Sequence, residues 1–362
     1  MNKKIIFSSG GTGGHTIPAI NLMKHFDEKN FEVILVTDKR GVKFLKGQPN
    51  FKSYIVESDT PQKKFLLKKV LSYFKILHSI IKAAYILNKE KPKLIIGFGG
   101  YVSFPISFIS RFFNIPLIIY ENNLILGKVN KYLLPSAKKI LLTNKVPLNF
   151  PKKYEKKICQ VGTILDKDII NYAYKEKTKK DFFSILVLGG SQGAKIFGKV
   201  IHPVMKMIQD KGFKIKINQQ CTEDQEDLLS TFYKENKIEN NIFKFRKDIL
   251  NLFSSSDLAI SRCGAASTAE LVETYTPFIA IPYPYAGDNH QYLNGKYYEK
   301  EGCCWLLEEN NLNSKNLFNL MIKIIQNNKL LENMRKKMKN SENKNVYINI
   351  ENIVEEFFKN EN

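Results

Sequence analysis

The sequence lacks the features that mark several protein classes. Its five cysteines are an odd number without metal-ligand spacing, so the reduced thiols of a cytosolic protein fit best. No apolar run approaches the length of a membrane-spanning helix, because glycines, prolines and an arginine interrupt the most apolar region, 94–120. The basic start of the chain loses its apolar character after Phe7, so we expect no signal peptide.

Three familiar motifs are also missing. The glycine cluster Gly10–Gly14 lacks the third glycine of the dinucleotide fingerprint, although Asp38 ends the next predicted strand and keeps an NAD enzyme open. No Gly-Lys-Ser/Thr follows, as a P-loop would require. A Gly-x-Ser-x-Gly elbow is absent, so a Ser-His-Asp hydrolase is not indicated. His25, His78 and His202 are isolated, and we expect no metal site.

Acidic residues are few relative to basic ones, and the formal net charge is +21. Such a charge suits nucleic acid, an anionic membrane surface or anionic substrates. However, lysines occur along the whole chain, including its polar tail, and they do not alternate with aromatic residues in one stripe. We therefore attribute most of the charge to general composition and expect no nucleic-acid partner.

The chain repeats one structural plan. A length of 362 residues favours two domains. Gly10–Gly14 opens one strand–turn–helix series and Gly189–Gly193 opens another, which predicts two α/β units with parallel sheets covered on both faces. We place the first domain at 1–157 and the second at 158–340, with a last helix, about 341–362, packing back on the first. Ligands of such folds bind at the carboxyl ends of strands, here in a cleft between the domains.

The longest predicted helix, Leu66–Leu87, has apolar residues at helical spacing with lysines near them. Over most of its length we favour a helix that covers the core while its lysines reach solvent. The alternative is a basic, apolar surface that rests on an anionic bilayer, for which 62–73 is the better candidate. The apolar positions are Leu67, Val70, Leu71, Phe74, Leu77, Ile80, Ile81 and Ala84.

The stretch Ser261–Leu271 has the pattern of an anion site. It follows a short apolar run and opens a helix with the small residues Gly264, Ala265 and Ala266, so backbone N–H groups can approach a ligand. The positive end of the helix dipole adds to the attraction. Glu270, just over one turn further, could accept hydrogen bonds from sugar hydroxyls. An ordinary capped strand–turn–helix, common in α/β proteins, is the alternative.

Four polar residues elsewhere suit the same chemistry. His15 begins the helix after the first glycine cluster, where the dipole favours a neutral imidazole fit to act as a general base; a helix cap is the alternative. Glu121 and Asn123 end a strand and could face the same cleft. Gln291 begins a helix after a proline-rich turn and offers both donor and acceptor to sugar hydroxyls, or it caps that helix.

Six segments together resemble the MurG family of peptidoglycan N-acetylglucosaminyltransferases, and they occur in order over nearly the whole chain. They are Gly10–His15, Gly97–Pro105, Tyr120–Asn123, Gly189–Ala194, Ser261–Leu271 and Pro282–Asn294. The resemblance implies the α/β GT-B glycosyltransferase fold, in which two Rossmann-like domains face each other across a cleft and the last helix returns to the first domain.

The resemblance also implies the reaction. N-acetylglucosamine (GlcNAc) would pass from UDP-GlcNAc, with inversion, to the C4 hydroxyl of undecaprenyl-diphospho-MurNAc-pentapeptide (lipid I), giving lipid II. The implied place is peripheral, on the anionic cytoplasmic face of the inner membrane. No cofactor is implied, since helix dipole and N–H groups offset the charge of the leaving diphosphate. Alternatives are another GT-B enzyme using UDP-GlcNAc, such as a 2-epimerase or a lipid glycosyltransferase with another acceptor, and a basic membrane- or nucleic-acid-binding protein.

The matching motifs carry residue roles. We predict His15 and Glu121 as catalytic residues, with His15 as the base, and Arg246 as a contact to uracil mostly through its backbone. The acceptor side would be lined by Thr12, Gly13, Gly14 and Asn123. The nucleotide sugar would be held by Ser191 at the diphosphate, by Ala265, Ala266, Ser267, Thr268, Ala269 and Glu270, the last on ribose, and by Gln291 on the GlcNAc hydroxyls.

Two segments depart from the family pattern. Tyr120 and Asn122 stand where members often have histidine and glutamine. Asp166 falls where many members carry an arginine that helps to bind the nucleotide, and its charge is opposite. Either a weaker affinity for the donor or a substituting lysine would follow.

Overall fold

The computed structural model describes residues 3–11, 13–57, 66–143, 146–174, 181–190, 193–244, 246, 248–339 and 345–359, with the backbone alone at 66–71 and 73. The chain divides into two compact units, Met1–Asp166 with Lys344–Asn362, and Lys167–Asn343. The division falls after Asp166 rather than after residue 157 because Ile158–Gln160 forms an edge strand of the first sheet.

The first unit contains a parallel sheet of seven described strands, in the order β3-β2-β1-β4-β5-β6-β7. The strands are β1 Lys4–Ser8, β2 Glu32–Thr37, β3 Lys52–Ile55, β4 Leu94–Gly97, β5 Leu117–Glu121, β6 Ala137–Leu142 and β7 Ile158–Gln160. The helices between them are α1 Gly13–Glu28, α2 Leu66–Glu90, α3 Ser103–Ile109 and α4 Lys128–Leu133, with short 3-10 turns at Val42–Leu45, Ser110–Phe113 and Lys152–Lys157.

The second unit has a parallel sheet of six described strands, in the order β10-β9-β8-β11-β12-β13. The strands are β8 Phe183–Leu188, β9 Ile215–Gln220, β10 Glu239–Phe243, β11 Leu258–Ser261, β12 Phe278–Ala280 and β13 Cys304–Leu306. The helices are α5 Lys167–Ile170, α6 Lys195–Asp210, α7 Glu226–Glu235, α8 Ile249–Ser255, α9 Ala265–Glu273, α10 His290–Lys300, α11 Ser314–Ile325 and α12 Asn328–Met338, with 3-10 turns at Glu223–Gln225, Gly287–Asn289 and Glu309–Asn311.

Each sheet is buried on both faces, as its sequence requires. Ile5, Ile6 and Phe7 of β1 and Leu186 and Val187 of β8 are all fully buried. Such continuous apolar strands are typical of parallel sheets covered by helices on both sides. The prediction of two parallel α/β units is therefore confirmed.

Strand order reverses once in each sheet, and these two points place the candidate sites. In the first sheet β1 lies between β2 and β4, and in the second β8 lies between β9 and β11. Chains leave such neighbouring strands to opposite faces, which opens a crevice at their carboxyl ends where ligands bind. All the glycine turns noted in the sequence follow β1, β4, β8 or β11.

The last helix, α13 Val346–Lys359, belongs to the first unit and packs against α1. The Tyr347 hydroxyl donates to the backbone oxygen of Leu165 at 2.5 Å. Glu351 lies 3.1 Å from His25 Nε2 and 2.9 Å from Lys29 Nζ. These contacts tie the end of the chain to the helix that begins beside the first glycine turn.

Helix α2 does not present to the core the face that the sequence suggested. Its buried side chains include the small Ser72, Ser79 and Ala83. Phe74, Leu77, Ile81 and Tyr85, at 54–65% exposure, form an outward surface that we call the α2 apolar face. The core-covering prediction was thus wrong for Phe74, Leu77 and Ile81, because Ala83, Ile86 and Leu87 form the face of α2 that packs in the core. Of the other candidate, 62–73, residues 62–65 lie outside the described residues, and the rest is described by its helical backbone and the side chain of Ser72 alone. In the part of the chain described, no helix is both long and apolar enough to cross a bilayer.

A buried carboxylate at the end of α2 stabilises the amino-terminal ends of β1 and β3 in the first sheet. Glu90, 3% exposed, accepts hydrogen bonds from Lys52 at 2.9 Å, from Lys4 at 3.1 Å and from the Tyr54 hydroxyl. Burial by itself would raise the pKa of Glu90, but these bonds lower it to about 2. Glu32, half exposed, also pairs with Lys4.

We expect this pKa to make stability depend on pH in the acid range. A carboxylate with a depressed pKa in the folded state stabilises the protein above about pH 4.5, and the contribution is lost as pH falls toward 2. The Glu90→Gln variant should therefore lose on the order of 2 kcal/mol of unfolding free energy at pH 7, and clearly less at pH 3. Urea unfolding at both values measures it, with Glu32→Gln as the exposed control. An equal loss at both values would contradict the assignment.

Candidate active site

The first candidate site begins where two glycine turns touch. Gly100, in the turn after β4, has φ +79°, and a Cβ there would lie 2.7 Å from the carbonyl oxygen of Gly10. Gly10, in the turn after β1, is equally crowded, because its Cβ would lie 2.4 Å from the Cβ of Val102. Only glycine permits both the backbone angle and the close approach. Thr12, a predicted ligand residue, lies outside the described residues.

His15 lies at the edge of this contact, half-buried in the first turn of α1. Its ring atoms Cε1 and Nδ1 lie 3.4 and 3.5 Å from the position that a Cβ of Gly99 would occupy, and Asn130 Nδ2 lies 3.5 Å from the same point. The Asn122 amide donates to the carbonyl of Gly14 at 3.3 Å. The structure thus brings the beginning of α1 together with the ends of β4 and β5, as the sequence predicted for these motifs.

Glu121 is not an open carboxylate in this site. It is 2% exposed, and its Oε1 accepts from the backbone N–H and the side-chain amide of Asn123, each at 3.1 Å. Its Oε2 accepts from the Gly127 N–H at 2.8 Å and from Asn130 Nδ2 at 2.9 Å. These four donated bonds fix the loop between β5 and α4 around the carboxylate. The Glu121 carboxylate therefore holds the surrounding loop in place by hydrogen bonds.

Asn130 is a site residue that the sequence analysis missed. It is 2% exposed, and its amide donates both to Glu121 and to the carbonyl of Tyr120, the latter at 3.2 Å. No pattern marks it, because it lies nine residues from Glu121 on a short helix of otherwise mixed character. Gly13 is buried in the first turn of α1, next to Phe44, while Gly14 is exposed.

Asp38 and Asp166, which the sequence left open, are both engaged within the first unit. Asp38 accepts from the Gly41 N–H at 2.8 Å and from Arg40 Nε at 2.9 Å. Burial works to raise the pKa of Asp38, but these bonds lower it. The Asp38 carboxylate is thus used within its own turn, which does not favour a role in binding ribose. Asp166 lies 3.9 Å from Lys24 Nζ, so that lysine partly offsets the charge that departs from the family pattern.

The second candidate site begins with the turn after β8. The Gly189 N–H donates to Gln220 Oε1 at 3.0 Å. Gly190 and Gly193 have φ +78° and +69°, angles that side chains rarely allow. These angles explain two of the three glycines in this turn, and a Cβ on the third, Gly189, would lie 2.4 Å from the backbone nitrogen of Ala194. Ser191, predicted to meet a diphosphate, lies outside the described residues.

Beside it, Gly264 caps the N-terminus of α9 in an extended conformation, φ −64° and ψ 141°. The first N–H groups of a helix have no partner within it, so they are available to an anion. Thr268, fully buried, uses its hydroxyl on the carbonyls of Gly264 and Ala265, at 3.0 and 3.2 Å, and Ala269 is 7% exposed. The side chains of these two predicted ligand residues thus face the core. Those left on the accessible side are Ala265, Ala266, Ser267 and Glu270, all half-buried.

Gln291 joins two turns at this edge of the sheet. Its Oε1 accepts from the Cys263 N–H at 3.2 Å and from the Tyr283 N–H at 3.0 Å. Asn294 supports the arrangement by donating to the carbonyl of Cys263 at 3.0 Å. With Oε1 occupied, the amide nitrogen of Gln291 remains the group that can reach a ligand. The structure therefore brings Gln291 to the turn that begins α9.

Arg246 lies apart from this group, after β10, the edge strand beyond β9. Its guanidinium pairs with Asp248 through two bonds of 2.8 and 2.6 Å. The side chain is thus committed to Asp248, and the contact of this residue with uracil stays a prediction. Among the described residues no group of three or more histidines, cysteines or acids is placed to hold a metal ion.

Comparison with known proteins assigns the family. Residues 5–142 match the glycosyltransferase family 28 N-terminal domain and residues 184–349 its C-terminal domain. The UDP-N-acetylglucosamine–N-acetylmuramyl-(pentapeptide) pyrophosphoryl-undecaprenol N-acetylglucosamine transferase of Pelagibacter ubique is 37% identical over 97% of each chain. Its namesake from Wolbachia pipientis of Culex pipiens is 34% identical, covering 98% of this chain and 97% of that one.

Solved structures agree on the fold. The crystal structure of Acinetobacter baumannii MurG superposes with a TM-score of 0.79 at 24% identity, covering 98% of this chain and 99% of that one. A Staphylococcus aureus MnaA–UDP structure gives 0.69 at 14% identity, covering 98% and 96%. The predicted GT-B fold, with two Rossmann-like domains, is confirmed. The chain belongs to glycosyltransferase family 28 and, within it, to the MurG family of N-acetylglucosaminyltransferases.

Proposed function

We propose that this enzyme transfers GlcNAc from UDP-GlcNAc to the C4 hydroxyl of undecaprenyl-diphospho-MurNAc-pentapeptide, with inversion, and so forms lipid II. The observation that carries the proposal is the 37% identity, over 97% of both chains, to a transferase named for this reaction. The geometry supports it independently, because a helix N-terminus follows a glycine-containing turn at the point of strand reversal in each sheet.

The donor half of the reaction suits the second unit. The N–H groups that begin α9 and the turn at Gly190 would face the diphosphate, with Ser191 among the residues proposed to contact it. As the sugar departs, its bond to UDP breaks and negative charge grows on the diphosphate. The positive end of the helix offsets that charge. Glu270 would accept from the ribose hydroxyls and the Gln291 amide would donate to GlcNAc.

The acceptor half suits the first unit. As the C4 oxygen of MurNAc bonds to the anomeric carbon, its proton must leave, and His15 is the group we propose to take it. Asn123 and the turn at Gly13 and Gly14 would line the acceptor. Glu121 is proposed here as a positioning residue, because both of its oxygens are occupied by the loop that carries Asn123.

A direct test is transfer itself. Radiolabelled UDP-GlcNAc is incubated with a lipid I analogue, and the product is identified by mass. A product heavier by one N-acetylhexosamine supports the proposal. A UDP-sugar isomer formed without the acceptor would instead indicate an epimerase, and transfer only to other lipids would indicate a different acceptor class.

We further propose that the first unit docks on an anionic lipid surface, as a lipid-linked acceptor requires. The α2 apolar face exposes large side chains beside Lys75 and Lys82, both exposed. Helix α3 packs against α2 and leads to Phe112, 63% exposed, whose ring lies 4.7 Å from the Arg111 guanidinium. Apolar side chains surrounded by cations suit the headgroup region of an anionic leaflet. A peripheral place on the cytoplasmic face follows, where the donor nucleotide is available.

Removing apolar side chains from this face should weaken membrane binding. The double variant Phe74→Ser/Ile81→Ser is expected to bind phosphatidylglycerol vesicles about 30-fold more weakly in co-sedimentation, while keeping its turnover of a soluble acceptor analogue. Leu228→Ser, an equally exposed leucine of the second unit at 59%, is the matched control and should change neither. Unchanged vesicle binding of the double variant would refute the docking face, and an oligonucleotide shift at physiological salt would point to nucleic acid instead.

A further inference from the structure

A buried cation lies beneath the candidate donor site. Arg262, 7% exposed, directly follows β11, and its guanidinium lies between two aromatic rings, 4.8 Å from Phe197 and 5.4 Å from Tyr283. One guanidinium nitrogen donates to the carbonyls of Ile281 and Pro282, at 3.3 and 3.2 Å. The side chain is thus committed to protein groups on several sides.

Its charge is balanced by an acid from another loop. Glu309 Oε2 lies 2.5 Å from the second terminal nitrogen of Arg262, an ion pair whose angles fall outside those of a well-directed hydrogen bond. Glu309 begins the 3-10 turn after β13 and stands in none of the six segments that identify the family. Nothing in the sequence pattern draws attention to it.

The pair lies among the turns that follow β8, β11, β12 and β13. Phe197 lies on α6, directly after the glycine turn that follows β8, and a Cβ on Gly190 would lie 4.0 Å from the Arg262 Cβ. Tyr283 follows β12 and donates its N–H to Gln291. A buried ion pair is weak evidence for stability, since its desolvation cost offsets much of the attraction. A pair in this place can instead fix the positions of the surrounding turns relative to one another.

We propose that the Arg262–Glu309 pair is a positioning device that holds the turns after β8, β11 and β12 in the geometry that receives the donor diphosphate. The inference rests on the proposed donor site. Arg262 acts through the N–H groups of α9 and the turn at Gly190, and it is not itself a ligand. Displacing such groups by about 1 Å costs on the order of 100-fold in catalysis.

Isothermal titration with UDP, on the full chain, tests the pair. Arg262→Met is expected to raise the Kd for UDP about 10- to 100-fold and Glu309→Gln by a smaller factor, with KM for UDP-GlcNAc raised and KM for the acceptor unchanged. Because the two residues act as a unit, the double variant should bind UDP no worse than Arg262→Met. Arg262→Lys, which keeps the charge, should recover part of the affinity and guards against a methionine variant that fails to fold.

Arg335 offers a matched control in the same unit. It is half-buried and donates to the carbonyl of Asp257 at 3.3 Å. Arg335→Met should lower Tm and leave the Kd for UDP unchanged. If it raises the Kd as much as Arg262→Met does, the effect is general destabilisation and the proposal fails. Variants of the pair that bind UDP within twofold of wild type would overturn it while leaving the donor site intact, whereas a wild type that binds no UDP would overturn both.

Discussion

Replacing His15 with alanine is expected to lower kcat by about 100- to 10,000-fold, the usual cost of losing a general base. The ring lies at the N-terminus of α1, beside the glycine turn after β4 and Asn130. Since it belongs to the acceptor half, the Kd for UDP should stay unchanged. Steady-state kinetics with UDP-GlcNAc and a lipid I analogue measure the loss.

His202 provides the control for this experiment. It lies on α6 of the second unit, where its Nδ1 is 2.7 Å from the carbonyl of Gly198 and its ring packs against Phe232. His202→Ala should keep normal turnover. A His15→Ala enzyme with wild-type kcat would remove His15 from the role of base, and Asn130 and Asn123 would then be the next residues to test.

The second large effect is expected at Glu121. In Glu121→Gln an amide group replaces one carboxylate oxygen, so two of the four N–H donors that face it lose their acceptor. Each orphaned buried donor costs about 1–3 kcal/mol, so two of them predict a loss of roughly 2–6 kcal/mol of unfolding free energy. The loop should also lose its fixed position, with kcat/KM for the acceptor reduced about 100-fold and KM for the donor unchanged.

Glu90→Gln is the matched control, because it makes the same substitution at another buried carboxylate of the first unit. Glu90 lies at the amino-terminal ends of β1 and β3, away from the carboxyl end of β5 where Glu121 lies. The control variant should lower stability and leave kcat/KM alone. If Glu121→Gln lowers stability without affecting the acceptor, Glu121 is structural only. If it lowers kcat without lowering stability, Glu121 takes part in the chemistry and the positioning role is wrong.

The fold could be predicted because local signals agree with the global one. Apolar strands, glycine turns and helices follow each other in a fixed order, and that order requires parallel sheets. Gly10 and Gly189 mark the first turn of each series, and both follow strands at the points where the structure reverses strand order. The two parallel α/β units follow from these features, whereas the GT-B fold was what the resemblance to the MurG family implied.

What could not be predicted depends on contacts between distant residues. Helical spacing shows that Phe74 and Ile81 share a face of α2, but it does not show whether that face meets the sheet or solvent. In the same way, the sequence predicts Glu121 as a catalytic residue, and only the structure shows that Asn130 donates a hydrogen bond to its carboxylate. The Arg262–Glu309 pair joins loops that only the sheet order brings together, so no spacing in the sequence reveals it.

The central claim is that the C-terminal unit holds the uridine diphosphate at the beginning of α9. A crystal structure of the enzyme with UDP tests it most directly. The account predicts a diphosphate within hydrogen-bonding distance of the N–H groups that follow Gly264, with the ribose hydroxyls on Glu270. Nucleotide bound elsewhere, away from α9 and with Glu270 uninvolved, would contradict it.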